Sequence, residues 1–369
     1  MADRWYRAAN DAEIESPALL VYPRRIKENI HRMIGLAAGT QRLRPHIKTH
    51  KMVEVVELQR AAGITKFKSS TIAETEMLAD CGVADVMLAY PLVGPNIRRF
   101  ATLAVKYRDL GFSTLADDAA TIRLLSQALT RAKVRAGVLI DLDVGLHRSG
   151  IAPGESAVAL YRLIDELPGV VPAGLHIYDG HLKDRDVAIR AARLKEDYAG
   201  VWRLRDRLTE LGFEVPEVVA GGTPTFGLHA ANPEVTCSPG TCTLWDHNYG
   251  SRFPDLDFLH AATVMTRVIS KPGETRLCLD LGYKAVSPDN PDPRVVLLDL
   301  PDARTVIHNE EHLTVETPHA DDYPVGAILY GVPFHICPTT ALYREAVVVE
   351  GGRAVGTWTV AARDRKLSI

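Results

Sequence analysis

The sequence lacks the features that mark disulfide-rich, membrane-spanning and nucleic-acid-binding proteins. Its five cysteines are scattered and form no CxxC pair, which predicts a reduced, cytoplasmic protein. The longest apolar runs, such as residues 295–298, are far too short to cross a bilayer. Residues 1–16 lack the apolar core of a signal peptide, so no export is expected. No run of five like charges occurs and the formal net charge is -3, which argues against a dedicated nucleic-acid binder.

The composition is that of a globular enzyme of ordinary size. The chain has 369 residues, of which 46% are hydrophobic and 24% are charged. At about 150 residues per domain, this length predicts two domains, or one large barrel with an appendage. With the other classes excluded, a cytosolic enzyme acting on a small molecule is the class that remains.

Strand-like and helix-like segments alternate through the first 240 residues. A short buried strand is predicted at 18–21, followed by a helix whose apolar residues Ile26, Ile30, Met33 and Ile34 share one face. Eight further strands are predicted, at 43–48, 66–69, 85–89, 112–115, 134–142, 173–178, 215–220 and 235–237. Amphipathic helices fill most gaps, for example 71–81, 97–108 and 189–211. This alternation predicts an α/β fold, a parallel (β/α)₈ barrel.

The pattern changes at about residue 255. Short β-branched runs at 262–269, 275–280, 295–298, 347–350 and 354–361 alternate with Pro/Gly/Asp turns at 271–274 and 287–293. This alternation of short β-branched runs and turns predicts a mostly antiparallel β domain. The predicted domains are therefore a barrel over 17–255 and a β domain over 256–369, with residues 1–16 expected to pack with the β domain.

The densest polar cluster is RPHIKTHK at residues 44–51, at the end of the first predicted barrel strand. A lysine there would point into the mouth of the barrel, where barrel enzymes place their chemistry. In the mouth it would be partly desolvated, which would lower its pKa and make it a Schiff-base nucleophile. The alternative interpretation is an exposed basic loop.

Further motifs follow later predicted strands. Glycine-rich turns at 220–225 and 238–241 come after strands seven and eight, where barrels often bind phosphate through backbone N–H groups. The segment 141–150 after strand five carries Arg148, which is either a fixed charge in the mouth or a surface arginine. The segment 174–181 after strand six carries Tyr178 and His181, the latter either functional or in a surface turn. Near the end, His335 and Cys337 have i, i+2 spacing; on an extended segment both would face one ion, unless the pair is a coincidence.

Together these motifs resemble the fold type III family of pyridoxal 5'-phosphate (PLP) enzymes, the alanine racemase-like barrels, over nearly the whole chain. They resemble most the metal-activated branch of D-threonine aldolases and eukaryotic-type D-serine dehydratases. The resemblance implies that Lys48, not Lys51, carries the cofactor, and that Arg148 hydrogen-bonds its phenolic oxygen. It implies phosphate contacts from Gly222, Thr223, Gly240 and Thr241, with Ser238 facing the pyridine nitrogen.

The same resemblance implies a substrate side and a metal site. Tyr178 would lie near the cofactor and His181 near the substrate. Where the aldolases carry a histidine six residues after this tyrosine, this sequence has Asp184. His335 and Cys337 match the metal-binding segment, which is HxC for zinc in dehydratases and often HxD for manganese in aldolases. A thiolate ligand favours Zn²⁺ over Mn²⁺ or Mg²⁺. His312, in another matching segment, either lies near the site or supports the β domain.

The implied function is a PLP- and metal-dependent lyase acting on D-β-hydroxy-α-amino acids. The segments YDGH and GGTPTF favour the D-threonine aldolase type, whereas the cysteine ligand favours D-serine dehydratase. An amino-acid racemase and a PLP-carrier protein are the less favoured alternatives. The family also implies a homodimer, in which the β domain of one subunit closes the barrel mouth of the other.

Overall fold

A computed structural model describes residues 4–369, which contain sixteen β-strands and ten α-helices. The strands are β1 (Ala18–Val21), β2 (Lys66–Ser69), β3 (Asp85–Pro91), β4 (Gly111–Ala116), β5 (Ala136–Leu142), β6 (Val170–Ile177), β7 (Val218–Ala220), β8 (Thr236–Cys237), β9 (Ala262–Gly273), β10 (Arg276–Leu279), β11 (Val295–Leu297), β12 (Arg304–His308), β13 (Leu313–Glu316), β14 (Ile328–Pro333), β15 (Glu345–Glu350) and β16 (Arg353–Thr359).

Most of the α-helices lie between the strands of the first sheet. They are α1 (Pro23–Leu36), α2 (Val53–Ala61), α3 (Ile72–Asp80), α4 (Pro95–Lys106), α5 (Ala119–Arg131), α6 (Glu155–Glu166), α7 (Val187–Glu210), α8 (Phe226–Ala230), α9 (His247–Arg252) and α10 (Ile336–Leu342). The helices predicted at 71–81, 97–108 and 189–211 correspond to α3, α4 and α7, each within two residues at both ends. Among the described residues, no helix is long and apolar enough to cross a membrane.

The first sheet is parallel, and its strands follow chain order from β2 to β8. The segment preceding Lys48 joins its two edges. On the β8 side, Arg44 N donates to Cys237 O at 2.9 Å, and on the β2 side, Lys68 N donates to Pro45 O at 2.9 Å. The predicted (β/α)₈ barrel and its mostly antiparallel partner domain are therefore confirmed as the fold class.

The prediction of a regular first barrel strand at 43–48 is wrong. This segment makes only isolated bridges, Leu43 to Cys237 and His46 to Lys68, before a 3₁₀ turn at Ile47–Thr49. Pro45 has no N–H to donate, which interrupts the ladder at its middle. Lys48 consequently lies in a tight turn after the bridges, not at the end of a regular strand.

The second sheet has the order β12-β13-β10-β9-β1-β15-β16, and β14 joins β9 to β11. The predicted strand at 18–21 is β1, and it belongs here. It pairs antiparallel with β9 and parallel with β15, and the side chains of Leu20 and Val21 are fully buried. The sequence did not reveal β12, β13 and β14.

The chain divides into two compact units. Of the described residues, one unit contains 4–32, Thr49–Val55 and Thr241–Arg363, and the other contains Met33–Lys48, Val56–Gly240 and Asp364–Ile369. The predicted limits of 17 and 255 for the barrel differ from this division. Two causes are visible: β1 is a strand of the second sheet, and within 241–255 the buried Asp246 accepts a hydrogen bond from Ile336 N at 3.2 Å.

Candidate active site

Two predicted cofactor residues of the barrel unit, Lys48 and Arg148, lie near the aromatic ring of a third, Tyr178. Lys48 Nζ is 5.7 Å from the centre of the Tyr178 ring, and Arg148 Cζ is 4.6 Å from it. Lys48 follows the segment that bridges the two sheet edges, Arg148 follows β5, and Tyr178 follows β6. Cations at such distances from a ring are attracted by its negative face. The structure thus brings Lys48, Arg148 and Tyr178 together at the carboxyl ends of the barrel strands.

Glycines on two turns make room for the Tyr178 ring. A Cβ atom at Gly180 would lie 2.5 Å from Tyr178 Cε1, and one at Gly222 would lie 3.0 Å from Cε2. At Gly221, φ is +74°, a backbone conformation that favours glycine. A Cβ there would also lie 2.4 Å from His229 Cδ2. Both the backbone conformation and the lack of space therefore exclude a side chain at this position. The glycine-rich turn after β7 is therefore packed against the tyrosine that follows β6.

The two predicted phosphate turns contact each other. Gly240 N donates to Thr223 Oγ1 at 3.2 Å, which joins the turn after β8 to the turn after β7. Gly222 N faces Thr225 Oγ1 at 3.4 Å. Thr241 belongs to the other unit, where its hydroxyl lies 3.5 Å from Cys337 Sγ. Of the four predicted phosphate residues, the barrel unit brings Gly222, Thr223 and Gly240 together.

Ser238 and His181 have definite partners. The buried Ser238 hydroxyl donates to Arg44 O at 3.0 Å. His181 Nε2 lies 2.8 Å from Asp197 Oδ2, and its Nδ1 is buried with no hydrogen-bond partner among the described residues. A histidine held by a carboxylate through one nitrogen has the other available for proton transfer. Asp184, at the position where the aldolases carry histidine, pairs with Arg193 at 2.8 Å.

A buried carboxylate that the sequence did not reveal holds the tyrosine turn to the glycine-rich turn. Asp179, next to Tyr178, lies 2.8 Å from His229 Nε2 and accepts hydrogen bonds from Thr225 Oγ1 at 2.9 Å and Tyr198 Oη at 3.1 Å. Burial alone would raise the pKa of Asp179, but these bonds outweigh it and lower the pKa below its ordinary value.

This pKa shift predicts how stability depends on pH. A carboxyl whose pKa is lower in the folded state stabilises the fold above its unfolded pKa, and the contribution is lost as pH falls through the folded pKa. We expect Asp179→Asn to lower the free energy of unfolding by about 2–3 kcal/mol at neutral pH, the value of hydrogen bonds to a charged group. The difference from wild type should shrink below about pH 4, as wild-type Asp179 is protonated.

Thermal unfolding of both proteins across a pH series measures this difference. Asp184→Asn, which removes a carboxylate paired with Arg193 at the surface, serves as the control and should change the melting temperature little. A gap between Asp179→Asn and wild type that stays constant down to the lowest pH would contradict the assignment.

A second set of buried charges lies inside the barrel. His176 Nδ1 lies 2.7 Å from Asp141 Oδ1, and Ser149 Oγ donates to Asp141 Oδ2 at 2.9 Å. His176 Nε2 is buried without a hydrogen-bond partner in the part of the chain that the structure describes. Lys68 is buried, and burial together with the charge of Lys48 lowers its pKa to about 7.

This barrel site fits PLP. Lys48 supplies an amine, Arg148 a fixed positive charge for an anionic ring oxygen, and the glycine-rich turns close backbone approach for a phosphate. The unpartnered His176 Nε2 is a buried polar atom that a bound group would satisfy. The sequence predicted the first three features but assigned no role to Lys68, His176 or Asp179, although His176 and Asp179 lie in the segment 174–181 that it singled out.

In the second unit, His335 and Cys337 are adjacent, but not on an extended segment as predicted. His335 is the N-cap of α10, so Cys337 is the second helical residue. Pro338 suits this first turn, where a missing N–H costs nothing. The two side chains nevertheless hydrogen-bond, and His335 Nδ1 lies 2.5 Å from Asp289 Oδ2.

Charged and hydroxyl groups surround this pair. Burial alone would lower the pKa of His335, but Cys337 and Asp289 outweigh it and raise the pKa to about 9. Thr49 Oγ1 lies 3.1 Å from Cys337 Sγ. Burial raises the pKa of Asp246 to about 6.

His312 lies exposed between β12 and β13.

The donor set fits a divalent ion with open coordination positions. Imidazole and thiolate are ligands that Zn²⁺ prefers. Within residues 4–369, no group of three or more His, Cys, Asp or Glu side chains is placed to hold a metal. Two protein ligands would leave coordination positions open for water and substrate, whereas a structural zinc site is normally closed by four protein ligands.

Two protein-family models, named here by their descriptions, match the chain. Residues 21–244 match "Alanine racemase, N-terminal domain", and residues 261–349 match "Putative serine dehydratase domain".

Named proteins match over nearly the whole length. A D-threonine aldolase of Arthrobacter sp is 30% identical over 364 residues, covering 95% of this chain and 93% of that protein. A 3-hydroxy-D-aspartate aldolase of Paracoccus denitrificans is 27% identical, covering 96% and 94%. The crystal structure of D-threonine aldolase from Filomicrobium marinum superposes with a TM-score of 0.88 at 27% identity, covering 95% of this chain and 96% of that one.

Proposed function

The chain belongs to the alanine racemase-like family of PLP-dependent enzymes, and we propose that it is a metal-dependent lyase of the D-threonine aldolase type. It would cleave D-β-hydroxy-α-amino acids between Cα and Cβ to glycine and an aldehyde. The adjacency of His335 and Cys337 carries the proposal, because a racemase has no use for a metal pair. The similarity to a D-threonine aldolase over 95% of the chain supports the aldolase outcome.

The barrel residues would hold the cofactor and move protons. Lys48 would be the covalent attachment point, Arg148 would neutralise the phenolic oxygen, and Thr223 and the glycine-rich turns would hold the phosphate. His181, oriented by Asp197, would take the β-hydroxyl proton through its unpartnered Nδ1. Asp184 cannot supply this base, because its carboxylate is paired with Arg193.

The second unit would hold the metal. His335 and Cys337 bind the divalent ion, with Zn²⁺ favoured by the thiolate and Mn²⁺ as an alternative. When bound, PLP withdraws electrons from the substrate Cα, and the ion polarises the β-hydroxyl. Water and substrate oxygens would complete the coordination, so chelators should remove the metal without unfolding the protein.

D-serine dehydratase is the second candidate. It is favoured by the cysteine ligand and by the match of residues 261–349 to a putative serine dehydratase domain. The machinery would be shared: Lys48 would remove the α-proton, and the β-hydroxyl would leave with the help of the metal.

One assay separates the candidates. The holoenzyme is incubated with D-threonine or D-serine, with added Zn²⁺ or Mn²⁺, and glycine, acetaldehyde and pyruvate are measured. Glycine and acetaldehyde in equal amounts from D-threonine, lost on chelation, are the expected result. Pyruvate from D-serine without aldehyde from D-threonine would establish the dehydratase instead. Racemisation of an amino acid that is indifferent to chelator would overturn both.

A further inference from the structure

The side chain of His335 is oriented by a carboxylate from a distant loop. Asp289 Oδ2 lies 2.5 Å from His335 Nδ1, and the two residues are 46 apart in the chain. In the neutral imidazole, which is the form that binds a metal, a carboxylate at one nitrogen keeps the proton on that nitrogen, and the other nitrogen presents its lone pair. With Nδ1 engaged in this way, Nε2 is the atom that remains to bind a metal.

A closed ring of hydrogen bonds fixes the carboxylate as well. Ser287 Oγ donates to Asp289 Oδ1 at 2.7 Å, and Ser287 N donates to Thr339 Oγ1 at 3.1 Å. Thr339 Oγ1 in turn donates to the carbonyl of His335 at 2.8 Å. The residue that Asp289 orients thus helps to hold Asp289, so both oxygens of the carboxylate have defined partners.

The backbone between the two ligands is held separately. Asp246 is buried and accepts hydrogen bonds from Ile336 N at 3.2 Å and from Tyr249 N at 2.9 Å. This fixes the peptide between His335 and Cys337, but it leaves the imidazole free to rotate. The ring itself contacts Asp289 through Nδ1 and also contacts Cys337. Because Cys337 is proposed as the second metal ligand, Asp289 is the partner that can hold the ring while a metal is bound.

Asp289 is better placed as a support than as a third ligand. Its side chain is 41% exposed, so solvent screens its charge and its effect is chiefly geometric. A ligand role would require it to leave His335, and no group of three donors forms in the described part of the chain.

We propose that Asp289 is the positioning residue of the metal site: it fixes the rotamer and tautomer of His335, so that Nε2 is presented to the ion. This inference rests on the proposed function, in which His335 and Cys337 bind a divalent metal. Loss of such a hydrogen-bonding partner typically weakens metal binding about 10–100-fold.

The test measures metal binding itself. Wild type and Asp289→Ala are prepared as PLP-loaded, metal-stripped holoenzymes, and the affinity for Zn²⁺ and Mn²⁺ is measured by calorimetry. We expect Asp289→Ala to bind each metal about 10–100-fold more weakly. Asp289→Asn, which keeps an acceptor oxygen without the charge, should recover part of the loss. Asp302→Ala, which removes a carboxylate 4.0 Å from another histidine, His319, should match wild type.

A spectroscopic readout separates positioning from general distortion. At saturating Co²⁺, Asp289→Ala should still show the thiolate-to-cobalt charge-transfer absorbance, because Cys337 is not held by Asp289. Loss of this band would mean that the whole segment is displaced, which would overturn the proposal. Wild-type affinity in Asp289→Ala would also overturn it. If wild type itself binds no divalent ion, the metal part of the proposed function fails instead.

Discussion

Lys48→Ala is expected to abolish covalent attachment of PLP, and with it the visible absorbance of the protein-bound cofactor. Lyase turnover should fall by about three orders of magnitude or more, because this amine is the covalent attachment point of the cofactor that the reaction requires. The reason lies in its place 5.7 Å from the Tyr178 ring, beside Arg148. Borohydride reduction of wild type followed by peptide mapping should place the label on Lys48.

Two other lysines provide the controls. Lys51 belongs to the same motif, and Lys51→Ala should retain the absorbance. Lys68 is the stronger rival, since its lowered pKa leaves much of the amine neutral and nucleophilic. It is only 3% exposed, whereas Lys48 is partly exposed, so Lys48 is the more accessible amine. A label on Lys68, or an absorbance that survives Lys48→Ala, would contradict the assignment.

The second large effect is expected at the metal site. Cys337→Ala should lower lyase activity about a hundredfold or more, because a bound ion supplies several kcal/mol of transition-state stabilisation. The absorbance of bound PLP should remain, since Lys48, Arg148 and Tyr178 belong to the barrel unit. Cys337→Asp should recover part of the activity with Mn²⁺, because carboxylate oxygen suits that ion better than thiolate does.

Cys278→Ala provides the matched control, because Cys278 lies on β10 in the same unit as Cys337 and has no role in the proposed chemistry. Activity, metal content and PLP absorbance are measured for all variants. Wild-type activity that survives prolonged chelation, or full activity in Cys337→Ala, would show that the metal interpretation is wrong.

The barrel could be predicted from sequence because its signals are local. Buried strands such as β3 and β5 are short apolar runs between amphipathic helices. Strand β12 escaped prediction because its residues are mostly exposed and show no apolar alternation. Strand β14 escaped prediction because it contains Gly331 and Pro333, residues that usually interrupt strands. A Cβ at Gly331 would lie 2.4 Å from Val295 Cγ2, so the close packing of this strand requires the glycine.

The residues of the candidate site also fall into those that the sequence predicted and those that it did not. Lys48, Arg148 and Tyr178 could be found because each belongs to a motif of fixed spacing at a strand end. Asp289 could not, because it lies in a segment that reads as a proline-rich turn and meets His335 only after folding. Lys68 was hidden for another reason: in a strand it resembles an exposed alternate residue, and only the barrel interior makes it buried.

The position of β1 has a consequence for the order of events during synthesis. This strand lies between β9 and β15, and its partners in β15 follow it by roughly 330 residues. At ribosomal rates of about 5–20 residues per second, it waits about 15–65 s for them. During that interval an apolar segment with unsatisfied backbone groups is open to wrong pairing. The most N-terminal of the described strands is thus among the last to be completed, and the yield of folded protein in a cell should depend on chaperones that shield it until translation ends.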